Sequence, residues 1–350
     1  MKNILKIVFV IIGTLIGAGF ASGQEMYIFF FSYGIEGIAG LFVSNILMGI
    51  IIYVSLKIIN KYKIKNYKEF LNIIIKINPK NKYFNIKNII NIIVNIFIIV
   101  TFFIMIAGFG AYFQQSIGIN SLIGSIIISI ILYIVFRIGT DGFVKVNEII
   151  TPLLIIFMLI IGILNLKDIN FINIIPYSNN FNWLISSIIY SSYNSILLIP
   201  ALIAINKYLN NKKEFKYVSI ISTLIILILS IFLFLVLTRI NGDIKNIQMP
   251  IVYVVNNIFP SLKNIYGIIV LSSIFTTAVS LGASFLQNIT KNRKSYQQIA
   301  QIMCITGVAV SKLGFSNLVN LLYPIFGFFG IIQIIILFKN KWNYKNILKN

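Results

Sequence analysis

Charge is scarce in this 350-residue chain: Asp, Glu, Lys and Arg together make up only 11% of it. Soluble globular domains carry about 25%, so a chain this poor in charge cannot clothe its own surface for water. The same conclusion follows from the other side of the composition, with 58% hydrophobic residues and a mean hydropathy of +0.93. Histidine is absent, which removes imidazole acid–base catalysis, imidazole metal ligation and His-containing triads. Cys304 is the single cysteine, so an intrachain disulfide, a CxxC redox pair and a zinc cluster are all excluded. The residue sets of hydrolytic and redox enzymes are missing, and the chain reads as a non-enzyme with no organic cofactor. Acidic residues are the scarcest charge, 8 against 29 basic, for a net +21. A nucleic-acid partner would need those basic residues gathered on one exposed face. Here they are confined to short segments between long apolar runs, and nucleic acid is rejected as a partner.

What remains is apolar chain in lengths that cross a bilayer. About 20 residues of helix span the ~30 Å hydrocarbon layer. Ten such stretches are read at 4–31, 36–58, 88–115, 119–137, 143–166, 183–206, 217–239, 264–288, 296–313 and 319–338. The expected fold is an all-α integral membrane protein with a single membrane domain and the lipid bilayer as its solvent. An even number of spans puts both termini on one side. With the N-terminus in the cytoplasm, 24 of the 29 basic residues fall on that side, leaving only Lys167, Arg239, Lys245, Lys263 and Lys312 outside. Lysines and arginines of short loops stay in the cytoplasm, so a multi-pass protein of a bacterial cell membrane is expected, with both termini inside. Lys2, Lys6, an apolar run and Gly19-Phe20-Ala21 imitate a cleavable signal peptide. Apolar character resumes at once in Met26–Phe31, so the segment reads as the first span.

Spans one and six are interrupted, about half the chain apart. Span one contains Gly17-Ala18-Gly19-Phe20-Ala21-Ser22-Gly23, and span six contains Tyr190-Ser191-Ser192-Tyr193-Asn194-Ser195 followed by Pro200. Glycine and serine both weaken helix. Paired interruptions in the two halves of a membrane chain point to a transporter binding site. The simpler reading of the glycines is close helix packing, since Gly13-x-x-x-Gly17 and Gly19-x-x-x-Gly23 fit the small-xxx-small pattern. The two longest loops, 59–87 and 240–263, follow spans two and seven. Each carries a short apolar stretch, Tyr67 to Ile77 and Pro250 to Ile258, expected as a surface helix. Five spans followed by five must be inverted relative to each other. The expected layout is 5+5 inverted, with 1–166 as the first repeat and 183–338 as the second, and with spans one and six unwound.

Unwinding near Ala18 and Gly19 would free carbonyls suited to a hard cation such as Na⁺, and N–H groups suited to a carboxylate. A zwitterionic amino acid matches that pair of groups. Span eight adds Ser273, Thr276, Thr277, Ser280 and Ser284, spaced to share one helical face. Their simpler role is to bond back to their own helix and join neighbours. Ionisable groups near the membrane are functional candidates: Glu25 after the break, either a solvated residue at the outer mouth or a gating or proton-carrying group, and Glu148 a turn beyond Lys145 in span five. Asn88, Asn91 and Asn95 in span three read as inter-helix hydrogen-bonding residues.

Gly13 to Glu25 (GTLIGAGFASGQE) resembles the first-span signature of the YkvI-like bacterial membrane proteins. So do Ala107-Gly108-Phe109-Gly110-Ala111, Tyr190 to Asn194 with Pro200, and Leu322-Tyr323-Pro324-Ile325-Phe326-Gly327. That family resembles in turn the amino acid–polyamine–organocation superfamily with its LeuT-type 5+5 fold, which implies a secondary transporter. The likeness of Gly13 to Gly19 to LeuT-type symporters implies one Na⁺ held by the carbonyls of Gly13, Ile16 and Ser273 and the hydroxyls of Thr276 and Thr277. It also implies a substrate carboxylate at the N–H groups of Ala18 and Gly19, with Ser191, Ser192, Tyr193 and Asn194 lining the pocket. Phe20, counted with the substrate-binding residues, stands where those symporters place an asparagine that helps bind a second sodium, so a second site lacks that ligand. In proton-coupled relatives a lysine of span five replaces the sodium, which makes Lys145, with Glu25 and Glu148, the set for H⁺ coupling.

The expected function is cation-coupled transport of amino acids or related small organic amines by alternating access, with spans one, two, six and seven rocking against the rest. The alternative is a ligand sensor that keeps the transporter fold, as in the membrane subunits of spore germinant receptors. A channel fits less well, because broken helices in a repeat suit alternating access.

Overall fold

The computed structural model describes residues 2–75, 83–138, 143–169, 174, 182–205, 209, 212–240, 244–290 and 292–344. The described residues are helical, without strand. Fourteen α-helices follow in chain order. The first span is three pieces, α1 (Lys2–Leu15), α2 (Ala18–Ser22) and α3 (Gln24–Phe29). Then come α4 (Glu36–Tyr62), α5 (Tyr67–Ile75), α6 (Tyr83–Tyr112), α7 (Ser121–Ile138) and α8 (Phe143–Asn165). The second half holds α9 (Trp183–Ile205), α10 (Lys212–Leu237), α11 (Pro250–Ile258), α12 (Lys263–Ile289), α13 (Arg293–Ser311) and α14 (Phe315–Tyr344).

Eight helices, α4, α6, α7, α8, α9, α10, α12 and α14, are long and apolar enough to cross a membrane among the described residues. The other two expected spans are helical but miss that standard for different reasons. Span one is divided into pieces of 14, 5 and 6 residues. Helix α13 has the length but opens on Arg293-Lys294-Ser295-Tyr296-Gln297-Gln298, which dilutes its apolar half. Isoleucine and leucine stand exposed along the outer faces, for example Ile126 and Ile130 of α7, Ile156 and Ile163 of α8, and Ile302 and Ile305 of α13. In water such a belt would be costly; against lipid it is the expected outer surface.

The helices meet in matched pairs. Helix α4 packs on α9 while α10 packs on α1, α6 packs on α12, α7 packs on α12 while α13 packs on α6, and α8 packs on α1 while α14 packs on α9. Short helix α5 rests on α6, α9 and α14, held by Tyr67 Oη donating to Gln333 Oε1 at 2.8 Å. Its counterpart α11 rests on α2, α3, α10 and α12. There the Gln115 side chain donates to the Met249 carbonyl at 2.8 Å and accepts from the Met249 N–H at 3.0 Å, and Asn256 donates to Ser116 Oγ at 3.0 Å. Both surface helices occur where the sequence places them; Ile77 lies outside the described residues.

One expectation fails. Span six is not unwound at Ser191–Ser195: α9 runs as one helix from Trp183 to Ile205. The hydroxyls that weaken a helix in water here bond back to it, Ser191 to the Ser187 carbonyl at 2.9 Å, Ser192 to Ile188 at 2.6 Å and Ser195 to Ser192 at 2.7 Å. Asn194 donates to the Tyr190 carbonyl at 3.0 Å. Back-bonding of this kind leaves the backbone ladder intact. The only interruption available to α9 is Pro200, which has no N–H and so leaves the Ile196 carbonyl without its usual donor.

The glycines of span one are not a helix-packing stripe. A Cβ on Gly13 would meet Thr151 Oγ1 of α8 at 2.5 Å, but a Cβ on Gly17 would find nothing nearer than 3.7 Å. Gly19 faces a side chain of its own span, and Gly23 adopts φ +85°, the left-handed turn that joins α2 to α3. Gly13 and Gly23 each approach a different neighbouring helix, α8 and α11, and a tighter backbone approach is found at Gly330 of α14, where a Cβ would stand 2.5 Å from the Ser192 carbonyl carbon of α9. Backbone cannot yield as a flexible side chain can. Gly330→Ala should therefore lower stability by about 1–3 kcal/mol, read as a fall in the melting temperature of the detergent-purified protein. Gly17→Ala should melt close to wild type; a larger loss for Gly17→Ala than for Gly330→Ala would contradict this account of the packing.

Candidate functional site

Helix α1 stops at Leu15, and Gly17 adopts an extended conformation (φ −92°, ψ −165°) before α2 begins. Two residues, Ile16 and Gly17, thus interrupt the span, slightly ahead of the Ala18–Ser22 segment expected to unwind, which is itself a short helix. The last carbonyls of α1 have no following turn to bond with. The carbonyl that follows them, in the interruption itself, is met from α12: Ser273 Oγ donates to the Ile16 carbonyl at 2.9 Å. Further along, Tyr266 of the same helix donates to the Ala21 carbonyl at 2.6 Å. Helix α12 thus serves as the partner that lets the first span break inside an apolar layer.

The hydroxyl face expected on span eight does turn towards the break. Thr276 Oγ1 donates to the Ser273 carbonyl at 3.1 Å, and Thr277 lies beside Gly17, its Oγ1 3.8 Å from where a Cβ would stand. A cavity of about 200 Å³ adjoins the break, lined by Gly13 and Thr14 of α1, Thr276, Thr277, Ser280, Leu281 and Ser284 of α12, Ile98 of α6, and Ile196, Leu197, Pro200 and Ala201 of α9. Five hydroxyl-bearing residues of two helices, Thr14 of α1 and Thr276, Thr277, Ser280 and Ser284 of α12, border one small space. Of the residues expected around a sodium ion, Gly13, Thr276 and Thr277 border this cavity, whereas Ile16 and Ser273, bonded to each other, do not line it. Among the described residues no group of three or more Asp, Glu, Cys or His is placed to hold a metal ion, so an ion here would be held by neutral oxygens.

The expected substrate residues are gathered less well. Ala18, Gly19, Phe20, Ser191, Ser192, Tyr193 and Asn194 are all fully buried, and none borders the cavity. Ser191 also donates to the Ser44 carbonyl of α4 at 3.1 Å, Ser192 stands against Gly330 of α14, and Asn194 is bonded within its own helix. Only Tyr193 reaches span one, where its hydroxyl donates to Glu25 Oε2.

Glu25 is not a solvated residue at the mouth, one of the two readings its position allows. It is 3% exposed, folded back so that its carboxylate lies against Gly19 and faces the Phe20 backbone amide. Aromatic rings enclose it. Tyr193 stacks on Tyr323 of α14 (centroids 4.8 Å apart) and on Phe29 (5.5 Å), and Tyr190 meets Phe29 and Tyr193 edge-on at 5.4 and 5.5 Å. Phe29 was visible only as part of an apolar run and Tyr323 only within a family-like motif; neither carried a chemical signal of its own. The side chains of Lys145 and Glu148 lie outside the described residues, as do those of Asn88 and Asn91. Asn95 accepts from Asn288 of α12 at 3.2 Å, the inter-helix bond expected of it.

No family model matches the chain. The fold is one that solved membrane transporters share: the chain superposes on a Na⁺-coupled sialic acid symporter, in a substrate-bound outward-open state, over 94% of this chain and 76% of that one (TM-score 0.57, 14% identity). It superposes equally on a mutant of the Eremococcus coleocola manganese transporter over 95% of this chain and 77% of that one (TM-score 0.60, 12% identity). In sequence the chain is similar to two proteins of Bacillus subtilis (strain 168). The uncharacterized membrane protein YkvI is 26% identical over 341 residues, covering 93% of this chain and 92% of YkvI, and the uncharacterized protein YyaD is 25% identical over 337 residues, covering 95% of each. The resemblance to YkvI-like membrane proteins therefore extends over nearly the whole chain.

The bond from Ser273 to Ile16 closes the break. Ser273→Ala leaves a buried carbonyl unsatisfied and should cost about 1–3 kcal/mol, measured by thermal unfolding in detergent. Ser284→Ala, whose hydroxyl bonds only its own helix at the Ser280 carbonyl (2.8 Å), should cost much less. Equal losses would contradict a special role for the Ser273 contact.

Proposed function

We propose that the chain is a cation-coupled secondary transporter of amino acids or related small organic amines, working by alternating access. The observation that carries the reading is the break at Ile16–Gly17, set against the hydroxyl face of α12 beside a cavity of about 200 Å³. A broken span in the hydrocarbon layer is tolerated where protein or a watered cavity satisfies it, and such breaks are where transporters hold ions and substrates. Two solved proteins of the same fold are, by name, a Na⁺-coupled symporter and a manganese transporter.

The architecture we propose is ten spans in a 5+5 inverted repeat of the LeuT type, residues 1–166 and 183–338. The matched helix pairs and the matched surface helices α5 and α11 support it. The broken first span and polar-started α13 would be the two crossings that length and hydropathy do not select. Both termini are assigned to the cytoplasm on the charge asymmetry. On that assignment the cavity lies on the cytoplasmic side, while α11, Gln24 and Asn320 lie towards the outside.

The coupling ion is assigned as Na⁺, held by carbonyls of Gly13, Ile16 and Ser273 and hydroxyls of Thr276 and Thr277. Ile196, whose carbonyl Pro200 leaves without its usual donor, also lines the cavity, and we assign that carbonyl as a further ligand. Neutral oxygens replace the hydration shell of a hard monovalent cation without the charge that a divalent ion favours. Ala18, Gly19 and Phe20 with Tyr193 form the inner wall of the substrate site; Ser191, Ser192 and Asn194 act through the shape of α9.

The test is uptake into proteoliposomes, with labelled amino acids and amines offered under imposed Na⁺ or pH gradients. Thr276→Ala combined with Thr277→Ala should reduce Na⁺-driven uptake at least about tenfold, as expected for losing two ion ligands worth over 1.4 kcal/mol together. Ser284→Ala, on the same cavity wall, should retain most of it. Equal effects would reduce the stripe to packing. Uptake that ignores Na⁺ but collapses on Lys145→Ala or Glu148→Gln would move the coupling to protons. Ligand binding without uptake would favour a sensor.

A further inference from the structure

The proposed function leaves the substrate's charge open, and Glu25 addresses it. Its carboxylate occupies the face of Gly19: a Cβ at that position would collide with Oε1 and stand 2.7 Å from Cγ. The backbone amide of Phe20 is turned to it. The Phe20 N–H, next to the Ala18 and Gly19 groups expected to receive a substrate carboxylate, therefore already faces a carboxyl group of the chain's own. Two carboxyl groups at contact distance in a medium of low dielectric cannot both carry their charge, which disfavours a substrate carboxylate there.

A buried carboxyl group keeps its charge only where a cation pairs with it. Among the described residues, no lysine or arginine reaches Glu25, whose partners are the Tyr193 hydroxyl and the Phe20 amide. A carboxylate offers about four acceptor positions, so two are left over. Beside it Gln24, fully buried, donates from Nε2 to Asn320 Oδ1 at 2.9 Å while its Oε1 has no partner. Asn320 and Tyr323 lie one turn apart on the same face of α14, which brings Gln24 and the aromatic cluster under one helix. The surroundings thus keep acceptor positions unused, hold no lysine or arginine among the described residues, and are walled by rings. Metal ions with oxygen coordination need more oxygens than this wall offers. A protonated amine supplies three N–H donors, one positive charge and an affinity for ring faces.

We propose that Glu25, enclosed by Phe29, Tyr190, Tyr193 and Tyr323, is the recognition point for the ammonium group of the substrate, and that the chain takes monocationic amines in preference to zwitterionic amino acids. The incoming ammonium takes over the acceptor positions of the carboxylate, and Asn320, exposed at the end of the Gln24 link, marks the route to the surface. This deepens the transport reading, on which it rests, by naming its substrate class.

The test is equilibrium binding to the full-length protein in lipid nanodiscs, without ion gradients, read as ligand-induced rise in melting temperature. The probes are matched triads: phenethylamine, phenylalanine and N-acetylphenylalanine; isopentylamine, leucine and N-acetylleucine. At least one amine should stabilise the protein, at a half-effect concentration at least about tenfold below that of its amino acid, while the N-acetyl acids do nothing. Glu25→Gln should raise the amine's half-effect concentration about tenfold or more, as expected for losing a charge-assisted hydrogen bond. The wild-type comparison stands by itself should that variant fail to fold. Amino acids that stabilise as well as their amines, N-acetyl acids that match them, no amine effect at all, or an unaltered Glu25→Gln response would each overturn the proposal. Amine binding without gradient-driven uptake would instead count against transport, so the two failures are distinguishable.

Discussion

Hydrocarbon offers no hydrogen bonds, so a chain that breaks a helix inside a bilayer must supply partners for the freed backbone from within itself. That requirement organises this protein. The break at Ile16–Gly17 is tolerable because α12 lies beside it, with Ser273 bonded to the Ile16 carbonyl and Tyr266 to the Ala21 carbonyl. Helix α12 is in turn held against α6, α8 and α7, and α11 closes over the α2–α3 side through Gln115 and Asn256. Removing the water forces the oxygens together, and the gathered oxygens are what a desolvated cation needs.

The same requirement explains which parts of the fold were readable in the sequence. The long helices were legible because apolar run length maps directly onto bilayer thickness. Short helices α5 and α11 were legible as apolar stretches inside polar loops. The hydroxyl face of α12 followed from helical spacing alone, and four of its five members do border the cavity. Span six was misread because propensity was applied as though water were present. Ser191, Ser192 and Ser195 weaken helix by offering the backbone another partner, but with no water to take up released carbonyls they reinforce the turn they sit on. Pro200 is the residue of α9 that does free a carbonyl, because a missing N–H cannot be restored by the solvent or by its absence.

The enclosure of Glu25 was beyond sequence reasoning for another reason. Its position after a break marked it as a candidate, yet burial or exposure there depends on where α9 and α14 fall. Tyr193 comes from one and Tyr323 from the other, well over a hundred residues away in the chain. No periodicity within span one encodes that meeting. Two chemically different places result: a hydroxyl-lined cavity on the α1 side of the break, and a carboxyl group within aromatic rings on the α3 side. Neutral oxygens suit a small hard ion, and a carboxyl group walled by rings suits an organic cation; on the proposed function the break would lie between the sites of ion and substrate.

Alternating access is the central claim, and reciprocal accessibility tests it most directly. On a Cys304→Ala background, single cysteines placed by Ser284→Cys in the cavity and by Asn320→Cys near the Gln24 link would be labelled with a membrane-impermeant thiol reagent. The labelling is done from each side of sealed vesicles, with and without Na⁺. The account predicts that the two positions label from opposite sides and that Na⁺ raises the labelling of one while lowering that of the other. Positions that label from the same side, or rates that Na⁺ leaves unchanged at both, would contradict it.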